Sequence, residues 1–288
     1  MKILFINQWM HHKNMHALLN YKNIELEIIN NIEDINKYDL NNFDCIYNPS
    51  YPIDVSKYPN TKFIFGPHFS VFPDNKLLLI KSPKVRFNLL CNWVENYWIP
   101  FEICNNIHFV NIPFGIDTEK FNEINPIQKR DKIFIYYKSR KPEELEFVIN
   151  FFKKNGYLYE IFSYHQRYEE NDYIKYLQES KFGIWVDAHE SQGFALQEAL
   201  SCNVPLLIWN ISSMNQEYGQ NYDDIPATTI PHWDNRCGEY FYNQNELQEK
   251  FNIFLNRLET YKPREYILEN LSMDICEKKF IDMINEIN

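Results

Sequence analysis

Asp187-Ala188-His189-Glu190-Ser191-Gln192-Gly193-Phe194-Ala195-Leu196-Gln197-Glu198-Ala199-Leu200-Ser201-Cys202-Asn203-Val204-Pro205-Leu206-Leu207 is the stretch whose reading organises the rest of the chain. It closes an apolar run, Phe182–Asp187, that reads as a strand. A polar loop carrying Glu190 follows, then a helix expected over Phe194–Cys202, then a second strand over Val204–Trp209. Strand–helix–strand is the mark of a parallel sheet covered by helices. Ligands of such open sheets bind beyond the carboxyl ends of the strands, so this loop lies on the functional edge. Gly193 with Phe194, Ala195 and Leu196 presents the free N–H groups of a helix start, suited to a phosphate or a sugar hydroxyl. The Glu198 carboxylate is able to accept two hydrogen bonds from a vicinal diol such as a ribose. Glu190 is placed to hold sugar hydroxyls or to stabilise positive charge at a sugar carbon. Two isolated glutamates near a helix start would ordinarily serve only the macrodipole; here the surrounding pattern gives them more to do.

The alternation extends in both directions. Upstream, Lys132–Tyr137 reads as a strand, and Pro142 opens a helix with Glu143 and Glu144 in its first turn, where proline and carboxylates are favoured. A strand over Tyr157–Ser163 and a helix over Glu170–Glu179 lead into the quoted stretch. Downstream come a short strand, Glu239–Tyr242, an amphipathic helix, Asn243–Leu258, and a last helical segment, Arg264–Ile287. The first half places strands at Lys2–Ile6, Ile24–Ile29, Asp44–Tyr47, Lys62–Phe65, Val85–Leu89 and His108–Ile112, with helical spacing in His12–Leu19 and Cys91–Trp98. The polar run 122–130 interrupts the pattern. The expected organisation is an N-terminal α/β domain over 1–121, a linker over 122–131, and a C-terminal α/β domain over 132–263. A C-terminal helix, 264–288, is expected to pack back on the first domain, and the two domains to face each other across a cleft.

Composition narrows the function. The 288 residues suffice for two ordinary domains with proper cores. A net charge of −10 argues against nucleic acid as a partner, since phosphate chains call for an excess of Lys and Arg. The seven glycines form neither a G-x-G-x-x-G nor a G-x-x-x-x-G-K-[ST] signature. Six scattered cysteines without a C-x-x-C pair, a start too short for a signal core, and no 18-residue apolar span imply a reduced, cytoplasmic protein without an integral membrane segment.

Glu190 and Glu198 are separated by seven residues, and Glu198-Ala199-Leu200 and Val204-Pro205-Leu206 continue the pattern. This resembles the E-x7-E motif of retaining GT-B-fold glycosyltransferases of the family 4 type. A second resemblance is Ile112-Pro113-Phe114-Gly115-Ile116-Asp117-Thr118-Glu119-Lys120-Phe121, similar to the family's I-P-N-G-V-D-x-x-x-F at the end of the first domain. The resemblance implies the GT-B fold, two Rossmann-like α/β domains. It further implies transfer of a sugar from a nucleotide diphosphate sugar, UDP- or GDP-linked, to a glycan or other hydroxyl acceptor with retention of configuration. Glu198 would then bind the ribose, Glu190 the donor sugar near the reacting carbon, and the N–H groups of Gly193–Leu196 the sugar or diphosphate. The family places a basic pair on the first strand–helix loop of the second domain, and Lys138 and Arg140 stand there. Two apart on an extended chain, they would share a face; Arg suits the diphosphate by bidentate pairing and Lys as a point charge. Their order departs from the family's usual Arg-then-Lys.

Further positions follow with less in the sequence behind them. His68, after Gly66-Pro67 at a strand end, looks like a place where the family often has a histidine touching donor or acceptor; a lone histidine is more often a hydrogen-bonded structural residue. Tyr164 is placed to lie near a nucleobase, or simply to pack. Where the family carries a Gly-rich first turn, this chain has Asn7-Gln8-Trp9-Met10-His11-His12-Lys13-Asn14. His11, His12 and Lys13 read as acceptor-side polarity, and the His11, His12, His16 group lacks the Cys or acidic neighbours of a metal site. With no Asp-x-Asp motif on a strand end, a metal-independent transfer and no prosthetic group are expected. A non-catalytic nucleotide-sugar or glycan-binding module of the same fold, and a GT-B nucleotide-sugar epimerase, stand as alternatives.

Overall fold

The structure, a computed structural model, describes residues 1–166 and 169–287. Arg167 and Tyr168, in the expected second domain, and Asn288, at the end of the expected C-terminal segment, lie outside the described residues. The chain divides into two compact units, Met1–Gly115 with Met273–Asn288, and Ile116–Ser272.

The first unit is built on strands β1 (Lys2–Ile6), β2 (Glu25–Ile29), β3 (Cys45–Asn48), β4 (Phe63–Phe65), β5 (Val85–Asn88) and β6 (Phe109–Val110). They lie in the order β2-β1-β3-β4-β5-β6 and pair in parallel. Ile3, Leu4, Phe5 and Ile6 are all fully buried, which is why β1 reads as a continuous apolar run with no alternation. Helices α1 (His12–Leu19) and α2 (Asn92–Trp98) follow β1 and β5, and Trp98 packs on Phe87 and Phe109.

The second unit carries β7 (Lys132–Tyr137), β8 (Glu160–Ser163), β9 (Ser180–Val186), β10 (Leu206–Trp209) and β11 (Gly238–Phe241). Their order is β11-β10-β9-β7-β8, again parallel. Helices α3 (Pro142–Lys154), α4 (Glu170–Glu179), α5 (Phe194–Ser201), α6 (Leu247–Arg257) and α7 (Pro263–Asn270) complete it. Phe152, Phe182, Phe251 and Phe254 form an aromatic layer between the sheet and α3 and α6. In both sheets the strand order reverses once, between β1 and β3 and between β7 and β9. Such a switch point opens a crevice beyond the strand ends, because the two flanking connections leave on opposite faces. No helix among the described residues is long and apolar enough to cross a membrane.

Three features depart from the sequence reading. The segment 122–131 is not the join between the units, which falls at Gly115–Ile116 and again at Ser272–Met273. Its Arg130 is fully buried and donates to the carbonyls of Asn125, Ser180 and Cys202 at 2.7, 3.2 and 3.0 Å, with Glu123 3.2 Å from its other amino group. The apparent linker is therefore bonded into the second unit. The expected single helix 264–287 is two: α7 stays in the second unit, and α8 (Met273–Asn285) joins the first. There Phe280 packs 5.5 Å from the Tyr47 ring, and Glu277 accepts the Asn23 N–H. Gly115 makes the passage possible, since a Cβ on it would stand 2.6 Å from the Met273 Cα. Finally, the amphipathic helix expected from Asn243 begins with a 3-10 turn and becomes α-helical only at Leu247.

Removing Arg130 strands several buried carbonyls. Arg130→Ala is expected to cost roughly 3 kcal/mol, with Arg130→Lys recovering only part. Urea unfolding followed by tryptophan fluorescence checks this, and an unshifted midpoint contradicts it.

Candidate functional site

Tyr137 and Val186 end β7 and β9 and are paired across the switch point of the second sheet. The Lys138 N–H donates to the Val186 carbonyl at 3.0 Å, so the ladder runs one residue past the strand and delivers the lysine side chain to the crevice. Its Nζ is ion-paired with Glu190, lies 4.0 Å from Asp187 Oδ2, and stands 5.3 Å from the centre of the Tyr164 ring. Glu190 is placed by its own N–H, which donates to the Thr228 carbonyl at 3.1 Å. Burial opposes the charge on Lys138, but Asp187 and Glu190 outweigh it and hold the ammonium above its usual range. Asp187 is itself buried, and that burial pushes its carboxyl well up against the pull of Lys138. Its Oδ1 accepts the Ala188 N–H at 2.7 Å.

His189 and Glu217 extend the cluster, with His189 Nδ1 3.2 Å from Glu217 Oε2. Burial pushes His189 down to about 4 and raises Glu217. The imidazole is therefore neutral at neutral pH. The wall beyond is fixed by Asn210, at the end of β10, whose Oδ1 accepts from Thr228 Oγ1 and the Thr229 N–H, both at 2.9 Å. Asp187, His189, Glu217 and Thr228 are site residues that the sequence reading did not single out. The run Asp-x-His-Glu directly after a strand was a usable signal for the first two. Nothing in spacing marks Glu217 or Thr228.

Gly193 caps α5 with φ +81°, a left-handed conformation that a side chain would strain. It also sits close to Glu190: a Cβ built on it would be 3.6 Å from the Glu190 Cβ. The helix start thus adjoins the Lys138–Glu190 pair. Phe194 and Ala195 are half-buried, while Leu196 and Glu198 are buried. A cation, a helix N-terminus and a paired carboxylate within one loop cluster form an arrangement chemically suited to an anion such as a phosphate.

Arg140 does not join them. Ser139 adopts φ +50°, so the chain turns between the two basic residues and the shared face expected of an extended strand is lost. The Arg140 guanidinium is 1% exposed. It is held by Glu144 and by the carbonyls of Asp187 and Trp209, both at 3.1 Å. Its donors tie the ends of β9 and β10 to the β7 loop, and it has no reach for an anion.

In the first unit His68 is half-buried. Its Nε2 accepts from Asn14 Nδ2 at 3.3 Å and from the His11 N–H at 3.5 Å, which leaves the ring proton on Nδ1. Burial pushes this imidazole down to about 4, with His11 adding to the effect. The His11 and His12 rings lie 4.5 Å apart, His12 is exposed, and Lys13 is half-buried in the first turn of α1. Among the described residues, no three or more His, Cys, Asp or Glu side chains are grouped to hold a metal ion. All six cysteines are buried.

The sequence matches no protein-family model and no curated protein. Solved structures are similar. Sucrose-phosphate synthase from Thermosynechococcus elongatus aligns with a TM-score of 0.59 at 9% identity, over 99% of this chain and 98% of that one. The lipopolysaccharide outer core galactosyltransferase WaaB, in its apo form, gives 0.56 at 12%, over 99% of each chain. The N-terminal domain of trehalose-6-phosphate phosphatase from Candida albicans gives 0.60 at 12%, over 99% and 98%. At such identities the likeness is one of fold, and it matches the GT-B expectation of two parallel-sheet α/β units.

Two imidazoles held neutral by burial fix a pH dependence. The unfolded chain takes up their protons near pH 6.5 and the folded chain only near 4, so stability falls as pH drops through that window. The double variant His68→Gln/His189→Gln is expected to lose less melting temperature than the parent between about pH 7 and pH 5. An equal loss in both proteins contradicts the assignment.

Proposed function

We propose that this protein is a retaining, metal-independent glycosyltransferase that moves a sugar from a UDP- or GDP-linked donor to a glycan or other hydroxyl acceptor. The observation that carries the reading is the Lys138–Glu190 pair at the switch point of the second sheet, beside the Gly193 helix start. Similar folds in a sucrose-phosphate synthase and a lipopolysaccharide galactosyltransferase support it.

In this reading Lys138 and the N–H groups of Gly193–Leu196 meet the diphosphate and stabilise the charge that builds as it departs. Phosphate takes Lys138 over from Glu190, which turns to the donor sugar near its reacting carbon. Glu198 accepts from the ribose hydroxyls, and Tyr164 lies by the base. The acceptor, held by the first unit with His68, His11, His12 and Lys13 on its side, attacks on the face the diphosphate leaves. Its oxygen–carbon bond forms as the carbon–oxygen bond to phosphate breaks, and its proton passes to the departing phosphate oxygen. Arg140 has no part in this beyond holding the loop ends.

A thermal-shift screen with UDP, GDP and their sugars tests donor binding, since a bound nucleotide raises the melting temperature by mass action. Turnover of the stabilising donor then separates a transferase from a binding module, and interconversion of free nucleotide sugars would mark an epimerase. Lys138→Ala is expected to lower kcat by roughly 100-fold or more; full activity would sink the phosphate assignment. Glu198→Ala is expected to weaken nucleotide binding by roughly tenfold. Glu190→Gln is expected to cripple turnover while nucleotide affinity stays within a few fold, and unchanged turnover removes it from the site.

A further inference from the structure

The first sheet has its own switch point, between β1 and β3, and what stands there is an exposed indole. Trp9 is 53% exposed, whereas the other five tryptophans are buried or half-buried. It lies three residues beyond β1, and its carbonyl accepts a hydrogen bond from Ser50 Oγ, two residues beyond β3. The loops from the two strands flanking the switch are thus bonded to each other through the Trp9 backbone. The ring is held as well. Its centroid is 4.6 Å from that of His68, at an interplanar angle of 81°, in an edge-on contact that leaves indole surface open. His68 is in turn fixed by Asn14, by the His11 N–H, and by its own N–H on the Pro49 carbonyl at 2.8 Å.

An exposed aromatic that is this well anchored is pre-organised to receive something. The hydrogen-bonding groups of these loops are mostly neutral: Asn14, His68, Ser50 and, beneath the same loop, Asn48, with Lys13 the one cation of the stretch 7–14. Asn48 is fully buried; its Oδ1 accepts the N–H groups of Ser50 and Tyr51, both at 3.2 Å, and its Nδ2 has no partner. A flat apolar plate rimmed by neutral donors and acceptors matches a sugar ring, which offers C–H groups on one face and hydroxyls around its edge. It matches a nucleotide less well, since the phosphates of a nucleotide call for more than the single cation, Lys13, that this loop carries.

We propose that Trp9 is the platform on which the acceptor ring stacks, so that the acceptor is itself a saccharide. This rests on reading the chain as a glycosyltransferase whose first unit takes the acceptor, and it is tested by binding as well as by turnover.

Methyl glycosides of glucose, galactose, mannose and N-acetylglucosamine are titrated while acrylamide quenching of tryptophan fluorescence is recorded. The expected result is that at least one glycoside shields the emission of the parent protein and that the shielding vanishes in Trp9→Phe, which lacks the reporting indole. By calorimetry, Trp9→Ala weakens that glycoside by roughly tenfold or more, and Trp9→Phe, which keeps a ring, recovers part of it. The melting shifts given by UDP and GDP stay as in the parent. Absence of shielding by every glycoside overturns the proposal, and so does shielding by UDP or GDP in their place. If no nucleotide binds and no donor turns over while a glycoside still shields Trp9, the transferase reading fails and the saccharide platform stands. If a donor turns over and Trp9→Ala leaves the acceptor KM unchanged, the platform fails and the transferase reading stands.

Discussion

A lysine ammonium among carboxylates at the end of a buried strand governs the second unit. Lys138 has one carboxylate in contact, Glu190, and a second, Asp187, at 4.0 Å. Taking an ammonium out of water is costly unless it is paired, and a pair is costly unless its members are further bonded. The first condition is met by the two carboxylates and the second by the Ala188 N–H on Asp187, while backbone bonds fix where the lysine and glutamate side chains begin. The Lys138 N–H continues the ladder onto Val186, the Glu190 N–H bonds Thr228, and Asp187 accepts from Ala188. Asp187, the most buried of the acids, is the one whose ionisation the surroundings oppose most. The more accessible pair, Lys138 with Glu190, is the one a ligand is able to exchange.

Arg140 shows how the frame around that pair is kept. An arginine offers a fixed fork of donors, and here they reach a carboxylate on α3 and the terminal carbonyls at β9 and β10. The three strand ends that define the crevice are fastened by one side chain. Two basic residues that look alike in sequence are thus placed differently: Arg140 is buried and holds the edge in shape, whereas Lys138 stands at the edge, ion-paired with Glu190.

Much of the fold was legible because buried parallel strands write themselves as unbroken apolar runs. The bounds of β1, α1, β7 and α4 coincide with those read from periodicity. Where the reading failed, the deciding contact was remote in sequence. Polarity at 122–131 looked like a linker, yet Arg130 bonds to carbonyls at 180 and 202. The break between α7 and α8 at Leu271–Ser272 carries neither proline nor glycine; its only local signals are Asn270 and the Ser272 N-cap position, weak ones inside an otherwise continuous helical pattern. In the site, Glu190, Lys138 and Gly193 were visible because a strand end and a helix start bracket them. The removal of Arg140 was not visible, since it follows from a positive φ at a serine, a residue with no preference for that conformation. Glu217 reaches the cluster from an irregular segment with no periodicity to read.

The scarcity of glycine has a structural counterpart in the difference between the two switch points. At the second, Gly193 lets the backbone turn left-handed, so main-chain N–H groups and one lysine face the crevice, an arrangement suited to anions. At the first, the β1 loop has no glycine at all, and beside the backbone bonds of Trp9 and His11 it presents an indole, imidazoles, amides and the Lys13 ammonium. On the proposed acceptor reading, recognition there falls to ring faces and side-chain hydrogen bonds. The same strand order in two sheets is therefore followed by two chemically different sets of loops, with glycine and lysine at one switch point and aromatic and amide side chains at the other. For a chain with a net charge of −10, one lysine and one helix start supply local positive potential suited to an anion, and the proposed acceptor platform needs none.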